Sequence, residues 1–347
     1  MLRLLLLVAV AVVAVAGAFF AWAVSPLQLR ASPLDFSLRA GSTARSAAEQ
    51  IAAQGVGLSP PWFSWLARLT GEATQIKAGS YQIEQGITPW ELLGKLARGQ
   101  QSLLALSIPE GWTFAQFLAA ANDAPELKHD AAGLDPGELM RRIGAPADLD
   151  PEGEFFPDTY LYGRGSSELD LLRRAYRRMQ RELAQAWARR APGLPLRSPR
   201  QALTLASMIE KETGRAQDRA RIAGVFINRL RAGMPLQSDP TVIYALGHAY
   251  DGRLTRQDLR VASPYNTYLH AGLPPGPIAL PGAAALHAAL HPADGHALYF
   301  VARGDGSSVF SDTLAEHDAA VSRYILGSRA AAPPAPRTLA HPHRSQP

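Results

Sequence analysis

The sequence predicts an α+β protein with three parts: an N-terminal transmembrane helix, a small α/β subdomain, and a larger, mainly helical domain carrying added β-hairpins. Three observations predict it. Leu4 to Val24 is a run of 21 residues without a charge. One strand–turn–helix pattern recurs three times between Phe36 and Phe117. Beyond Glu168, apolar residues recur at helical spacing until ALYFVARGDGSSVFS (297–311), which reads as a hairpin around Gly-Asp-Gly.

The first run is long enough for a helix to cross the roughly 30 Å hydrocarbon core of a bilayer. Met1 and Arg3 place positive charge before it, so the N-terminus is expected in the cytoplasm and the rest outside. A cleaved signal peptide is the rival, because Ala21-Trp22-Ala23 resembles a cleavage site. The apolar run exceeds the usual leader length, and Trp22 suits an interfacial anchor, so a retained anchor over 1–25 is the expectation. At the other end, 329–347 has almost nothing to bury and reads as a disordered tail.

The repeated pattern is FSLRAGST (36–43), YQIEQGIT (81–88) and LSIPEGWT (106–113). Each alternates like a strand, turns at glycine and ends on a threonine that can cap a helix. Thr88-Pro89-Trp90-Glu91 is a capping box with proline in the first turn. Small domains contain such units for packing alone; the functional alternative over 30–108 is a glycan-binding module, since YQIEQGITPWELLGKL and WTFAQF resemble LysM segments. Glu168 to Arg190 reads as a helix with caps at Ser166 or Ser167, and its arginine stripe reads as a solvated face. LTLASMIEKETG (203–214) and RIAGVFINRLRAG follow as helices, and SDPTVIYALG starts another with Asp239 as its cap. SPYNTYLHAGLPPGPIALPG (263–282) is irregular and must be ordered by side-chain contacts.

Composition narrows the chemistry. The 347 residues contain no cysteine, which excludes disulfides, thiolate nucleophiles and cysteine-held zinc. A net charge of +5 fits an anionic lipid surface or polymer as well as nucleic acid, but no nucleic-acid motif is present. Serine-nucleophile, phosphate-loop and zinc-protease signatures are missing. His287 and His291 are four apart, but without a carboxylate between them they are not read as metal ligands, and no metal or cofactor is expected.

Carboxylates remain. At about 100° per residue, Leu205, Met208 and Ile209 define a buried arc in the 203–214 helix. Glu212 falls inside that arc and Glu210 at its edge. Burial and the helix C-terminus both raise a carboxyl pKa, as a general acid requires. Glu212 reads as a structural acid able to pair with Arg215 or Arg219, while these residues alone leave Glu210 open between catalysis and structure. Glu152, Phe156, Asp158 and Tyr160 in PEGEFFPDTYLYG, with Tyr265, Asn266, Thr267 and Tyr268 in PYNTY, supply rings and amide groups suited to sugars.

Seven segments together resemble the endolytic murein transglycosylases of the MltG (YceG-like) family: EGWTFAQF, EGEFFPDTY, ASMIEKET, VFINRL, GMPLQSDPTVIY, SPYNTYLHAGLPPGPI and YFVARGDGSSVFS. The resemblance runs from about Phe36 to about Tyr324. It implies a single-pass inner-membrane protein whose bulk is periplasmic, a LysM-like subdomain, and a catalytic domain over 109–328 with a lysozyme-like active-site helix. It implies cleavage of the MurNAc–GlcNAc β-1,4 bond in peptidoglycan strands without water, leaving 1,6-anhydro-MurNAc ends. Glu210 would be the catalytic acid and then base, and Gln237, Ser238 and Asp239 would join Tyr265, Asn266 and Tyr268 along the substrate groove. The resemblance also implies work beside a penicillin-binding glycan synthase. Two residues depart from the family pattern: Leu280 stands in place of an asparagine and Ser308 in place of a histidine. The competing readings are a hydrolytic muramidase with Asp158, Glu212 or Asp239 as second carboxylate, and a non-catalytic wall-binding anchor that recruits synthases.

Overall fold

A computed structural model describes residues 1–326; the expected tail over 329–347 lies outside them. The described residues are mixed α+β, mainly helical, with three two-stranded antiparallel sheets. It divides into two units that interleave in sequence. The first comprises Met1–Ile108, Ala115–Ala147 and Asp158–Arg174; the second comprises Pro109–Phe114, Asp148–Pro157 and the chain from Ala175. The expected boundary between 108 and 109 is one of the crossings, but 115–147 and 158–174 group with the first unit instead of the second.

The first unit opens with α1 (Leu2–Ala23), which is exposed up to Ala18, packs its last turn on the unit's core, and is long and apolar enough to cross a membrane. Then come β1 (Leu34–Leu38), α2 (Ala44–Ala53), α3 (Pro60–Leu69), β2 (Gly79–Ile83), α4 (Pro89–Arg98) and β3 (Leu103–Ser107). After them follow α5 (Phe114–Asn122), α6 (Pro136–Ile143) and β4 (Thr159–Gly163). β1 pairs with β2 and β3 with β4. The repeated strand–turn–helix pattern is real: Gly41, Gly86 and Gly111, the shared glycines, all have φ between 77 and 103°. That left-handed turn is open to glycine at little cost. It lets each strand reverse into its helix. Thr43 accepts the Ser46 N–H, and Thr88 with Glu91 closes the capping box. Phe36, Ile51, Phe63, Tyr81, Leu92 and Leu96 form the core of this unit.

α7 (Glu168–Ala188) passes from the first unit into the second, with the Ser167 hydroxyl accepting the Asp170 N–H at its start. The second unit is built on α8 (Pro199–Glu212), α9 (Ala216–Arg231), α10 (Asp239–Leu246) and α11 (Ala283–Leu290), followed by β5 (Tyr299–Ala302), β6 (Ser308–Ser311) and α12 (Leu314–Val321). α8 is its centre, buried continuously from Ala202 to Ile209 against α9 and α11. Such a helix must be apolar on nearly every face; only its first and last turns carry charge, and the glutamates sit in the last. The 297–311 hairpin forms as expected, with β5 and β6 in antiparallel register.

The α10 start differs from expectation by one residue: Ser238 occupies the cap and Asp239 the first helical position. Neither side chain caps the helix. The Ser238 hydroxyl donates to Glu212 at 2.6 Å, and the Asp239 carboxylate accepts from the Tyr268 hydroxyl at 2.5 Å. Tertiary partners have outbid the local cap.

Replacing Thr88 by alanine removes the side chain that accepts the Glu91 N–H. The change is expected to cost about 1 kcal/mol, read as a lowered urea midpoint of the full chain with an unaltered slope.

Candidate active site

Glu210 lies in the last turn of α8, and its side chain is only 6% exposed, more covered than a rim position implies. Its Oε2 accepts the Gly282 N–H at 2.9 Å. Its Oε1 faces Arg219 Nη2 at 3.9 Å, beyond hydrogen-bond range. Burial raises its pKa above the ordinary carboxyl range; the Gly282 N–H opposes that shift, and the neighbouring Glu110 charge adds to it.

The hydrogen bond to Glu210 depends on a backbone clasp. Gly111 N–H donates to the Leu280 carbonyl at 2.8 Å, and Leu280 N–H donates to the Trp112 carbonyl at 2.7 Å. Lys211 Nζ donates to the Gly111 carbonyl at 3.2 Å, tying the clasp to α8. Farther up α8, the buried Ser207 hydroxyl accepts the Ile278 N–H at 3.0 Å. The 278–282 segment, which carries no regular structure, is thereby laid along the helix. Gly282 leaves room for the Glu110 side chain: a Cβ there would sit 1.7 Å from Glu110 Oε1 and displace that carboxyl group. Two carboxyl groups therefore converge on one residue, Glu210 on its N–H and Glu110 against its Cα.

Glu110 is the residue that sequence reasoning missed. It stands in the EGWT segment singled out for its turn and cap, but nothing local distinguishes it from a surface glutamate. Of the three carboxylates considered as second acids, two have partners of their own within the second unit. Glu212 and Asp239 belong to the network described below, and Asp158 belongs to the first unit. So does Tyr160, which is buried there against Phe117. Phe156 is buried in the second unit's core under the Arg178 guanidinium.

Glu212 points into a polar network, not toward Arg215 or Arg219. Ser238 donates to its Oε1, and the Arg229 charge favours its ionised form. The buried Arg229 donates to the carbonyls of Leu236 and Leu298 at 2.9 and 2.6 Å, and to Gln237 Oε1 at 3.2 Å. Gln237 has φ of 53°, a strained value for a residue with a side chain. Its N–H is held by the Thr267 carbonyl at 3.0 Å. Ser238 N–H donates to Thr267 Oγ1 at 3.0 Å. Asn266 is fully buried: its amide donates to the Leu259 and Val261 carbonyls, and its oxygen accepts the Tyr268 N–H. Asn266 and Thr267 thus order the PYNTY loop from inside, which leaves Tyr265 and Tyr268 as its partly exposed members.

Glu152 is buried, accepts the Phe114 N–H at 3.1 Å, and has its pKa pushed up to about 7 by burial. The Tyr244 hydroxyl lies 3.5 Å from it, and the Tyr244 ring packs against Tyr265 with centroids 4.9 Å apart. Glu154, two residues on, is held by Arg200 at 3.1 Å and Gln180 at 2.9 Å. The two family departures fall at backbone contacts. Leu280 is buried and joins the clasp through its main chain, and Ser308 N–H donates to Asp218 at 3.0 Å. His287 and His291 stack on each other, and both His291 ring nitrogens face backbone carbonyls, of His287 and Arg189.

Glu212 is partly exposed as a residue, but its carboxyl end is desolvated and its pKa is pushed up to about 7. Between the ordinary value of 4.5 and about 7, the folded chain holds a proton that the unfolded chain releases, so stability falls as pH rises through that window. Glu212→Gln removes the charge and keeps an acceptor for Ser238. Its stability relative to the wild type is expected to rise across this window by on the order of 3 kcal/mol at most, measured by urea unfolding at pH 4.5 and 8.

The sequence signature of the YceG-like family matches residues 36–323. A Bacillus subtilis protein named endolytic murein transglycosylase is 32% identical over 308 residues, covering 84% of this chain and 85% of the relative. A Streptococcus pneumoniae protein of the same name is 30% identical over 288 residues, covering 73% of this chain; the match spans about half, 51%, of that longer relative. A 2.6 Å crystal structure solved as a yceG-like protein of Listeria monocytogenes is 29% identical and superposes with a TM-score of 0.51, covering 83% of this chain and 98% of that one. With the family signature running through the clasp, α8 and the PYNTY loop, the chain belongs to the YceG-like family.

Proposed function

We propose that this protein is a membrane-anchored lytic transglycosylase that cuts the β-1,4 bond between MurNAc and GlcNAc within peptidoglycan strands. The observation that carries the proposal is Glu210: a desolvated carboxyl with a raised pKa, fixed by one backbone N–H, in a chain whose relatives are named endolytic murein transglycosylases. Protonated Glu210 gives its proton to the glycosidic oxygen as the bond to C1 breaks, so GlcNAc leaves with a new hydroxyl. The resulting carboxylate takes the proton of the MurNAc C6 hydroxyl, whose oxygen closes on C1. The proton returns to Glu210, no water is consumed, and the strand ends in 1,6-anhydro-MurNAc.

Under this reading α8 is the lysozyme-like active-site helix. Gln237, Ser238, Asp239, Tyr265 and Tyr268 line the substrate path, with Glu152 behind Tyr244, and Phe156, Asn266 and Thr267 shape it from within. Glu212 is the structural acid that holds Ser238. Asp158 and Tyr160, in the first unit, contribute to strand binding from there. The 30–108 segment is the LysM-like glycan binder. α1 spans the inner membrane with its N-terminus cytoplasmic, the bulk of the chain is periplasmic, and cutting beside a penicillin-binding synthase ends strand growth. Support for the anchor comes from the length and apolar composition of α1 and from Arg3 before it.

One observation favours a second reading, a hydrolytic muramidase: Glu110 supplies a carboxylate beside Glu210. Product mass separates the two. Purified glycan strands digested by the wild type are expected to yield ends with no added water; ends heavier by one water would establish the hydrolase. Glu210→Gln is expected to lower the cutting rate by about 10²–10⁴-fold, followed by release of anhydro-muropeptides. Unchanged cutting would rule out Glu210 as the acid, and a wild type that cuts no strands would leave the wall-binding anchor as the surviving reading.

Glu110 has a separate signature. Its charge raises the Glu210 pKa, so Glu110→Gln is expected to move the basic limb of the pH–rate profile to lower pH. An unmoved limb with reduced rate would mean that Glu110 acts on substrate, not on Glu210.

A further inference from the structure

α3 presents an apolar surface that the proposed reaction does not use. It buries Phe63, Leu66 and Ala67 in the first unit's core. Yet Trp62, Trp65 and Leu69, on another face, are exposed at 39, 57 and 70%. Their spacing of three and four residues makes them one stripe. A helix covered by water on that side would carry polar residues there. The one charge in α3 is Arg68, whose guanidinium lies 5.8 Å from the Trp65 ring centre.

The stripe is continuous with α1. The Trp62 ring packs on Phe19 and Trp22, with centroids 5.7 and 5.3 Å apart, and Phe19 packs on Trp22 at 5.8 Å. From this aromatic cluster a cleft of about 830 Å³ opens between the two helices. Val8, Val15 and Phe20 are among the α1 residues on one wall; Trp62, Trp65 and Leu69 form the other. No charged side chain lines it. Contiguous exposed apolar surface of this kind marks an interaction site. Three features select lipid as the occupant. The surface joins that of a helix exposed from Leu2 to Ala18. The stripe pairs tryptophans with an arginine, the side chains that settle where acyl chains meet headgroups. And 10 residues, about 15 Å of helix, are too few to cross a bilayer but suit an element lying in its surface.

We infer that α3 is an interfacial membrane helix: Trp62, Trp65 and Leu69 sit among lipid acyl chains, and lipid fills the cleft beside α1. The inference rests on the reading of α1 as a membrane anchor. The first unit is then seated against the bilayer at two elements, which fixes its orientation where a single tether would let it swing. The partner is the bilayer on the side to which the chain emerges from α1.

The chain has no cysteine, so Leu69→Cys and Val13→Cys each carry a single nitroxide in the full-length protein. Both are reconstituted in vesicles of phosphatidylethanolamine and phosphatidylglycerol, and collisions with oxygen, which enters the bilayer, are compared with those of a water-soluble nickel chelate. Both labels are expected to meet oxygen several-fold more often than nickel. A nickel-exposed label at 69 with a protected one at 13 overturns the α3 inference and leaves the anchor standing. Nickel exposure at 13 overturns both. Dipolar broadening at 69 between labels overturns the inference in favour of a second copy of the chain. Trp65→Cys repeats the reading at a second point of the stripe should the first variant fold poorly.

Discussion

A single backbone hydrogen bond, Gly282 N–H to Glu210 at 2.9 Å, organises the second unit's site. Its donor lies 72 residues from its acceptor and belongs to a segment with no ladder of its own. That segment is held by pairs of main-chain groups, Gly111 with Leu280 and Leu280 with Trp112, and by Ser207 at its far end. Each contact is an ordinary hydrogen bond, worth about 1 kcal/mol net. Their joint effect is positional: they decide where an amide proton stands relative to a carboxyl on a rigid helix. Buried α8 supplies the rigidity, since a helix packed on nearly all faces cannot turn to relieve strain at its end.

The helices, the three glycine turns and the hairpin were legible in the sequence because each is signalled within a few residues. A capping box, a positive-φ glycine and a period of 3.6 or 2 need no knowledge of distant contacts. Helical phase set Glu210 and Glu212 on different sides, and they face different surroundings, one the Gly282 clasp and the other Ser238 and Arg229. Phase could not say how covered each would be, because the cover comes from segments far along the chain.

What could not be read were the long-range partners. Glu110 approaches Glu210 across the space that Gly282 leaves open, and main-chain clasps have no compositional signature. Asp158 and Tyr160 share a motif with Glu152 and Phe156, yet the chain passes from the second unit to the first between Pro157 and Asp158. Neighbours in a motif need not belong to one compact unit. The cap of α10 fails for a related reason. Ser and Asp prefer to satisfy the nearest free N–H, but Glu212 and Tyr268 offered both side chains charge-assisted partners.

Burial alone does not choose among the acids of the second unit. Glu152, Glu154, Glu210 and Glu212 all have raised pKa values, and desolvation is the leading cause for each. Their donors differ. Glu154 has an arginine and an amide within 3.1 Å, so both its oxygens are engaged. Glu152 takes the Phe114 N–H at the start of α5 with both oxygens, at 3.1 and 3.3 Å. Glu212 takes the Ser238 hydroxyl with one oxygen. Glu210 is likewise fixed through one oxygen, while the other looks toward an arginine too distant to hydrogen-bond it. Glu210 differs from Glu212 in lying against the Gly282 clasp and Glu110 instead of the Ser238 and Arg229 network. The Glu110 carboxylate beside it favours the protonated state by like-charge repulsion, which is the form a leaving oxygen requires.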